Sequence, residues 1–339
     1  MVRELRARDG VPAMSVGVLR YGEVTVLADG LARLEPSTPN SVETLFEIGS
    51  ITKIYTATAA MRLIDRGLID LSTRAVDIVP EFILAEGAGR DITVGHLLSH
   101  TSGIDPDFYG DPNTPTIADL ITQLRTTQPL HPAGAQWGYS NCGYVLLGLI
   151  LERISGHSFV EVLRTEVLDP VGDQVTRIHD TAGLRAVGYE RDPKEPTCLN
   201  AHPPGQMPAF APAGSTPAST PAAVLKLVQV HFNDGVTDSG TRLLSAEATR
   251  AMRAQHVRVP TNPQRKYAWG LGWTHYELTD GRLVLGHGGS TYGFLSYLIA
   301  DPSHGMAVVI LVNSMHAASA MADTGDFLLR ELLGAGLRS

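Results

Sequence analysis

FEIGSITK (residues 46–53) places a serine and a lysine three positions apart at the start of a predicted helix. That helix covers residues 52–66 and ends at Gly67. Residues three apart lie on one helix face, so the Lys53 amine can reach the Ser50 hydroxyl. A serine becomes a nucleophile when a base takes its proton, and lysine can serve as that base when burial lowers its pKa. The alternative is a surface helix start with a serine cap.

A second candidate motif is Tyr139-Ser140-Asn141, which precedes an apolar helical pattern. A tyrosine hydroxyl beside a lysine can carry a proton to a leaving group, and the Asn141 amide offers both a donor and an acceptor. A packed tyrosine followed by a helix cap would give the same pattern. Both interpretations stay open from this motif alone.

A third candidate motif is the glycine-rich stretch GHGGS at residues 286–290. Glycines in a strand allow a ligand to approach the backbone closely, so that N–H groups can point at an oxyanion. A plain glycine-rich hairpin is the alternative. The motif therefore predicts an anion-stabilising strand only in combination with the other two.

Strand patterns occupy both ends of the chain, and helical patterns occupy its middle. The predicted strands are residues 13–19, 23–28, 269–276, 283–285, 294–299 and 306–312. The predicted helices are the turns before Gly10 and residues 52–66, 117–124, 144–154, 159–168, 222–232 and 317–333. This order predicts an α/β (α+β) fold in which residues 1–69 and 214–339 form a sheet domain. Residues 70–213 would form a mainly helical inserted domain.

One segment, residues 191–221, is rich in Pro, Ala, Gly and Ser. It is either a flexible linker or a long ordered loop over a site. Thr220 followed by Pro221 predicts a helix start, with the hydroxyl as cap and the proline in the first turn.

Composition excludes several classes of protein. With 339 residues and a formal net charge of -8, the chain has no basic footprint, so we expect no nucleic-acid partner. No run approaches the roughly 18 apolar residues that span a bilayer, and the first residues lack a secretory pattern, so we expect a cytoplasmic protein. Cys142 and Cys198 cannot make a disulfide framework. The oligomeric state stays open.

The motifs together resemble a known family. FEIGSITK, LLSHTSGI (residues 97–104), YSN, PAGSTPAST (residues 212–220) and GHGGS follow one another in order. This series resembles the serine β-lactamase-like hydrolases, the group of class C β-lactamases, DD-peptidases and related esterases, from Gly10 to about Leu333. The resemblance implies a β-lactamase/transpeptidase-like fold, with a central antiparallel sheet flanked by helices and an inserted all-helical domain. It also implies that the active site lies in the cleft between these two domains. It implies neither a cofactor nor a metal.

The resemblance also implies the site residues. Ser50 would be the acylated nucleophile, Lys53 its base, and Tyr139 either the proton shuttle that activates Ser50 or the second-step nucleophile. The backbone N–H groups of Ser50 and Ser290 would form the oxyanion hole. The expected substrate-orienting residues are Asn141, His287, Gly288, Gly289 and Ser290, with Trp137 and Tyr292 as further candidates.

His287 stands where penicillin-recognising members of the group usually have lysine. A histidine is mostly neutral near pH 7 and would bind a substrate carboxylate more weakly. We therefore expect a small neutral ester or amide as substrate and hydrolysis as the reaction. The alternatives are acyl transfer to an amine or alcohol, a DD-peptidase or β-lactamase, and a catalytically silent ligand-binding homologue.

The walls of the pocket are expected from the loops at residues 105–115 and 197–213. Their aromatic side chains would contact an apolar acyl group or simply pack within the protein. These aromatics are Phe108, Tyr109 and Phe210, with Trp137 and Tyr292 nearby.

Other sites are less well supported by the sequence. His96 and His100 lie four apart on a predicted helix, but no third ligand accompanies them, so core or capping roles are expected. The chain has no Gly-x-Ser-x-Gly elbow, which argues against an α/β-hydrolase. Cys142 is expected to be a small buried residue rather than a nucleophile.

Overall fold

A computed structural model describes residues 2–106, 108–111, 113–179, 183–195, 198–259, 267–278, 280–317, 321, 324–325, 328 and 331–332. The strands among them are β1 (Ala13–Arg20), β2 (Glu23–Arg33), β3 (Thr38–Pro39), β4 (Phe46–Glu47), β5 (Gly188–Arg191), β6 (Leu199–His202), β7 (Ala218–Ser219), β8 (Val257–Val259), β9 (Tyr267–Trp269), β10 (Thr274–Glu277), β11 (Leu283–Thr291), β12 (Phe294–Asp301) and β13 (Met306–Val312).

The helices are accompanied by several short 3-10 turns. They are α1 (Val2–Asp9), α2 (Thr52–Asp65), α3 (Ala75–Ile78), α4 (Val94–Leu98), α5 (Ile117–Gln123), α6 (Asn141–Ser155), α7 (Phe159–Leu163), α8 (Asp169–Val171), α9 (Pro221–Phe232) and α10 (Ala246–Arg253). A π-helical stretch, Arg164–Leu168, follows α7 directly. In the described part of the chain, none of these helices has the length and apolar character needed to cross a membrane.

The main sheet has nine strands in the order β3-β2-β1-β13-β12-β11-β10-β9-β8, and its strand pairs are antiparallel. Its centre joins the two ends of the chain, because β1 pairs with β13 in the register Val16 to Ile310. The predicted α/β (α+β) class, with a β-lactamase/transpeptidase-like antiparallel sheet built from both chain ends, is confirmed.

Strand β13 shows why the apolar run at 306–312 becomes a central strand. Every residue of the strand is buried. Successive side chains point to opposite faces, so Val309 and Leu311 join the larger core with α2, whereas Val308 and Ile310 join a second core with α1. A strand covered on both faces reads as a continuous apolar run rather than an alternating one.

Helix α9 covers the α2 side of the sheet at close range. Thr220 caps this helix and Pro221 occupies its first turn, as predicted. A Cβ on Gly17 in β1 would come within 2.7 Å of the Pro221 side chain. Glycine at this position therefore lets the helix lie directly against the sheet.

Residues 70–213 contribute no strand to the nine-stranded sheet in the part of the chain that the structure describes. The described part of this region is largely helical, but it also holds the separate β5–β6 hairpin. Where the domain boundaries lie, at 69/70 and 213/214, stays a prediction. For the segment 191–221, the ordered alternative applies to the described residues, since Pro208–Ala213 form a 3-10 helix that is largely buried.

Two strands predicted near the glycine-rich motif have the wrong bounds. Residues 269–276 are not one strand, because β9 ends at Trp269 and a turn closed by Gly270 N–H donating to the Trp273 carbonyl at 2.8 Å leads into β10. The strand predicted at 283–285 continues to Thr291, so the glycine-rich motif lies within β11. Most of the predicted helix 317–333 lies outside the described residues.

Candidate active site

The Ser50 side chain lies at the entrance to α2. Residues Gly49–Ile51 form a single 3-10 turn that runs directly into α2. Lys53 lies one turn later on the same face, with its Nζ 3.0 Å from the Ser50 Oγ. Ser50 remains partly exposed and lines two cavities. The alternative of a surface helix start is therefore wrong, because α2 is almost wholly buried.

Lys53 is fully buried, and three oxygen atoms surround its amine. Besides Ser50, its Nζ contacts the Asn141 Oδ1 at 2.8 Å and the Ala213 carbonyl at 2.7 Å. Burial lowers the pKa of Lys53 well below its usual value. A neutral amine can donate to Asn141 and Ala213 while its lone pair accepts the Ser50 proton. The arrangement is that of a base beside a nucleophile.

Tyr139 lies within a cluster of rings beside the lysine. Its ring stacks on His100 at 4.3 Å between centroids and meets the edge of Trp269 at 5.6 Å. The Lys53 Nζ lies 4.8 Å from the Tyr139 ring centroid. Burial raises the pKa of Tyr139, and a hydrogen bond with Ser50 partly opposes that rise. The phenol therefore keeps its proton and lies within reach of the nucleophile.

His100 fixes the segment that carries Tyr139. The histidine has a φ of +57°, beyond the end of α4 at Leu98, so the prediction that His96 and His100 share a helix is wrong. Its Nδ1 accepts the backbone N–H of Ser140 at 3.0 Å. The expected core or capping roles apply: His100 is buried, and the His96 side chain completes the cap of α4.

Asn141 is the first residue of α6. The Ser140 Oγ accepts the Gly143 N–H and caps this helix, which leaves the Asn141 side chain free to reach Lys53. The Asn141 Nδ2 donates to the Tyr109 hydroxyl at 3.3 Å. The amide therefore links the base to the wall of a cavity. Its neighbour Cys142 is buried, as expected.

Strand β11 lies against the serine turn with almost no space between the two backbones. A Cβ on Gly49, whose φ is +51°, would come within 2.6 Å of the Ser290 backbone nitrogen. A Cβ on Gly289 would come within 3.0 Å of the Ser50 backbone nitrogen. Glycine at these two positions brings the backbone nitrogens of Ser50 and Ser290 to the same small region.

His287 is 3% exposed and lies on β11 facing the aromatic cluster. Its Nδ1 donates to the Gly288 carbonyl at 2.6 Å, so Nε2 carries the lone pair. Burial lowers the pKa of His287 to about 3, with a smaller effect from the Lys53 charge. The imidazole is therefore neutral at physiological pH, and its Nε2 has no partner within the described residues.

Two cavities lie beside Ser50 and Tyr139, and they share no lining residue. The first, about 340 Å³, is the methionine-lined cavity, and its walls include Ser50 and Asn141. Its apolar and aromatic lining residues are Tyr109, Met207, Phe210, Tyr292 and Met315. The second, about 300 Å³, is the tryptophan-lined cavity, and its lining includes Trp137, Tyr139, Trp269, Tyr276 and His287. A third space of about 470 Å³, lined by Ser50, Tyr139 and Gly288–Ser290, lies along β11.

The aromatic residues expected from the sequence divide between these surfaces. Tyr109, Phe210 and Tyr292 line the methionine-lined cavity, and Trp137 lines the other one. Phe108 packs against the core instead. Sequence reasoning missed the Ala213 carbonyl, because a backbone acceptor leaves no residue-type signal. It also missed Trp269 beside Tyr139 and the buried acid Glu47, although a lone acid among the apolar residues of FEIGSITK was a usable signal.

Known proteins are similar to this chain over almost its whole length. A family model described as Beta-lactamase matches residues 1–331. The chain is 32% identical to "Penicillin-binding protein 4" of Amycolatopsis lactamdurans over 347 residues, which cover 98% of this chain and 88% of the relative. The octameric penicillin-binding protein homologue from Pyrococcus abyssi has a TM-score of 0.84 at 27% identity, covering 98% of this chain and 76% of that chain.

A penicillin binding protein from Bacillus halodurans is similar in fold alone. Its structure has a TM-score of 0.78 at 21% identity and covers 95% of this chain and 98% of that chain.

Proposed function

The chain belongs to the β-lactamase family and is an acyl-serine hydrolase of the β-lactamase or DD-peptidase type, and on that premise we propose that it cleaves small neutral esters or amides through an acyl-enzyme on Ser50. The single observation that carries the proposal is the buried Lys53 amine 3.0 Å from the Ser50 hydroxyl. A lysine without burial would be an ammonium and could not take the proton.

The proposed reaction begins when the neutral Lys53 amine accepts the Ser50 proton and Oγ attacks the substrate carbonyl carbon. The negative oxygen of the tetrahedral intermediate lies against the N–H groups of Ser50 and Ser290. The bond to the leaving group breaks as Tyr139 donates its proton to the departing oxygen or nitrogen, and the Lys53 ammonium replaces that proton. Water then attacks the acyl-enzyme by the reverse proton path and releases the acid.

The two cavities differ in which catalytic group they touch, and this difference assigns the two halves of the substrate. The methionine-lined cavity includes Ser50 and Asn141 but not Tyr139, so it suits the acyl group that stays on the serine. The tryptophan-lined cavity includes Tyr139 but not Ser50. A leaving group must depart beside its proton donor, so this cavity suits the leaving group.

An uncharged leaving group follows from the chemistry of the tryptophan-lined cavity. None of its described lining residues carries a charge at neutral pH, since His287 is neutral. The His287 Nε2 lone pair and the indole N–H groups of Trp137 and Trp269 have no partner in the part of the chain that the structure describes. These atoms can form hydrogen bonds with a neutral polar group. They cannot offset the desolvation free energy of a carboxylate, as an ammonium group would.

A direct test combines labelling with turnover. The wild-type protein is incubated with a small fluorophosphonate, and its intact mass and the modified peptide are measured. We expect a single adduct on Ser50 and hydrolysis of p-nitrophenyl esters that the label abolishes. A protein that folds normally but gains no adduct, and turns over no ester, would be the silent ligand-binding homologue instead.

Acyl transfer is a second candidate function, and the tryptophan-lined cavity favours it. Once the leaving group has departed, this cavity sits empty beside Tyr139 and can receive an alcohol or amine acceptor. Incubation of the acyl-enzyme with aromatic and aliphatic amines or alcohols separates the two reactions. New conjugates formed at the expense of free acid indicate transfer, and an unchanged yield of acid indicates hydrolysis.

A further inference from the structure

Glu47 is a buried acid that the proposed reaction does not use. It lies on β4, two residues before the Gly49 turn, and is 3% exposed. Burying a carboxylate is costly unless hydrogen bonds or charges compensate it, so its partners indicate its role.

The Glu47 carboxyl group joins two other walls of the site. Its Oε1 accepts the backbone N–H of Gly205 at 2.7 Å. The side chain of Thr291, the residue that follows Ser290 on β11, and the charge of the buried Arg185 both lower the pKa of this carboxyl group. The Thr291 hydroxyl itself donates to the Ser215 carbonyl at 3.3 Å. Glu47 therefore links strand β4, which leads into the Ser50 turn, to the loop before Met207. It does so near the end of β11.

Residues 205–213, which we call the acyl wall, include one residue in a strained backbone conformation. Met207 has φ +54° and ψ +60°, a left-handed conformation that disfavours a residue with a side chain. Such a conformation persists only when the surrounding structure imposes it. Two hydrogen bonds hold the Met207 end of this wall: the Gly205 N–H donates to Glu47, and the Ser215 Oγ donates to the Met207 carbonyl at 2.7 Å.

The acyl wall supplies two kinds of atoms to the site. The side chains of Met207 and Phe210 line the methionine-lined cavity, and the Tyr292 hydroxyl donates to the Met207 Sδ at 3.3 Å. Its last residue, Ala213, offers the carbonyl that Lys53 contacts. The Glu47 anchor lies at the Gly205 end, next to Met207 and away from Ala213. Loss of the Glu47–Gly205 hydrogen bond should therefore disturb the methionine-lined cavity more than it disturbs the position of the Lys53 amine.

We propose that Glu47 is a positioning residue that holds the acyl wall against strand β4 and so sets the preference of the enzyme for large apolar acyl groups. This inference rests on the proposed function, because it takes the methionine-lined cavity as the acyl site. Without the anchor, Met207 relaxes from its left-handed conformation and the cavity loses one side. A long acyl chain then loses its contacts, whereas an acetyl group needs few of them.

The test compares Glu47→Leu, which removes the acceptor at similar size, with Glu47→Gln, whose amide oxygen can still accept the Gly205 N–H. Glu43→Gln is the matched control, because Glu43 is an exposed acid four residues earlier. We expect Glu47→Leu to lower kcat/KM for p-nitrophenyl octanoate at least tenfold, mainly through KM, and that for p-nitrophenyl acetate less than threefold. Glu47→Gln should recover most of the octanoate activity.

A second readout does not depend on catalysis. Amide hydrogen exchange over residues 203–215 should accelerate at least tenfold in Glu47→Leu and stay unchanged in Glu43→Gln. Equal losses on both esters, or unaltered exchange over this segment, would overturn the proposal. If the wild type turns over neither ester, the proposed function fails while the exchange experiment still decides whether Glu47 holds the wall. Should Glu47→Leu not fold, Glu47→Met also removes the acceptor at similar size, and the same selective loss is expected.

Discussion

The Lys53 Nζ lies 2.8 Å from the Asn141 Oδ1, across a sequence separation of 88 residues. The contact joins the starts of α2 and α6, two helices that pack against each other. It brings the first two sequence motifs into one site and places the Lys53 amine where two acceptors orient it. The third motif reaches the same point from β11. The chemistry therefore depends on the packing of three distant segments.

Replacing the nucleophile should abolish turnover. We expect Ser50→Ala to lower kcat by at least three orders of magnitude, because Ser50 is the one serine among the described residues whose hydroxyl lies within hydrogen-bonding distance of Lys53. Ester hydrolysis and intact mass after fluorophosphonate treatment measure the effect. Ser239→Ala, at an exposed serine, is the control and should behave as wild type. Residual turnover in Ser50→Ala near the wild-type rate would rule out the mechanism.

Replacing the base should be nearly as severe, and arginine should not restore it. Lys53→Ala removes the amine, and Lys53→Arg replaces it with a guanidinium that cannot lose its proton. The wild-type rate of Ser50 phosphonylation should fall as the pH drops through the lowered pKa of Lys53, because only the neutral amine accepts a proton. A pH-rate profile of phosphonylation checks the sign. A rate that rises with falling pH would contradict the role of Lys53 as base.

The effect of Tyr139→Phe should depend on the leaving group. p-Nitrophenolate departs without a proton, whereas an alkoxide needs one, so the lost phenol should matter more for alkyl esters. We expect kcat/KM for an ethyl ester to fall at least tenfold further than that for the p-nitrophenyl ester of the same acid. Tyr21→Phe, at an exposed tyrosine, provides the control. Equal losses on both esters would instead indicate a role in activating Ser50.

Much of the site follows from the sequence because its motifs encode local geometry. The three-residue spacing of Ser50 and Lys53 needs only one helical turn, and the glycines of β11 need only a close approach of two backbones. Helix α9 was equally predictable from the Thr220-Pro221 start. These signals are short-range, so pattern and composition are enough to identify them.

Other features depend on long-range packing that no local pattern records. The left-handed His100 ends α4 early, so a helical spacing from His96 predicted a helix that does not continue. The turn after Trp269 likewise interrupts a run of strand-forming residues, and no local pattern predicts it. The carbonyl of Ala213 becomes an acceptor for Lys53 only because a 3-10 helix brings it there.

Introducing a charge at His287 should shift substrate preference. His287→Lys places an ammonium in the tryptophan-lined cavity, where a carboxylate on the leaving group could pair with it. We expect the ratio of kcat/KM for a carboxylate-bearing leaving group to that for its methyl ester to rise about tenfold. His157→Lys, at an exposed histidine, is the control and should leave this ratio unchanged. A ratio that does not change in His287→Lys would place the leaving group elsewhere.

The Glu47 carboxyl group should make the stability of the fold depend on pH. Burial raises its pKa to about 7 from the usual 4.5, against the opposing effects of the Gly205 N–H and the Arg185 charge. The folded protein therefore binds more protons than the unfolded chain between these values. Its stabilising contribution is complete below pH 4.5 and is lost as the pH rises through 7. The difference corresponds to about 3 kcal/mol.

Glu47→Gln removes this titration, while the amide has a similar size and its oxygen can still accept the Gly205 N–H. Relative to the variant, the free energy of unfolding of the wild type should fall by about 2–3 kcal/mol between pH 4.5 and pH 8.5. Urea denaturation of both proteins at these two pH values measures the difference. Glu43→Gln, which removes an exposed acid, should follow the wild type. Parallel stability curves for the wild type and Glu47→Gln would mean that the acid is already ionised at low pH.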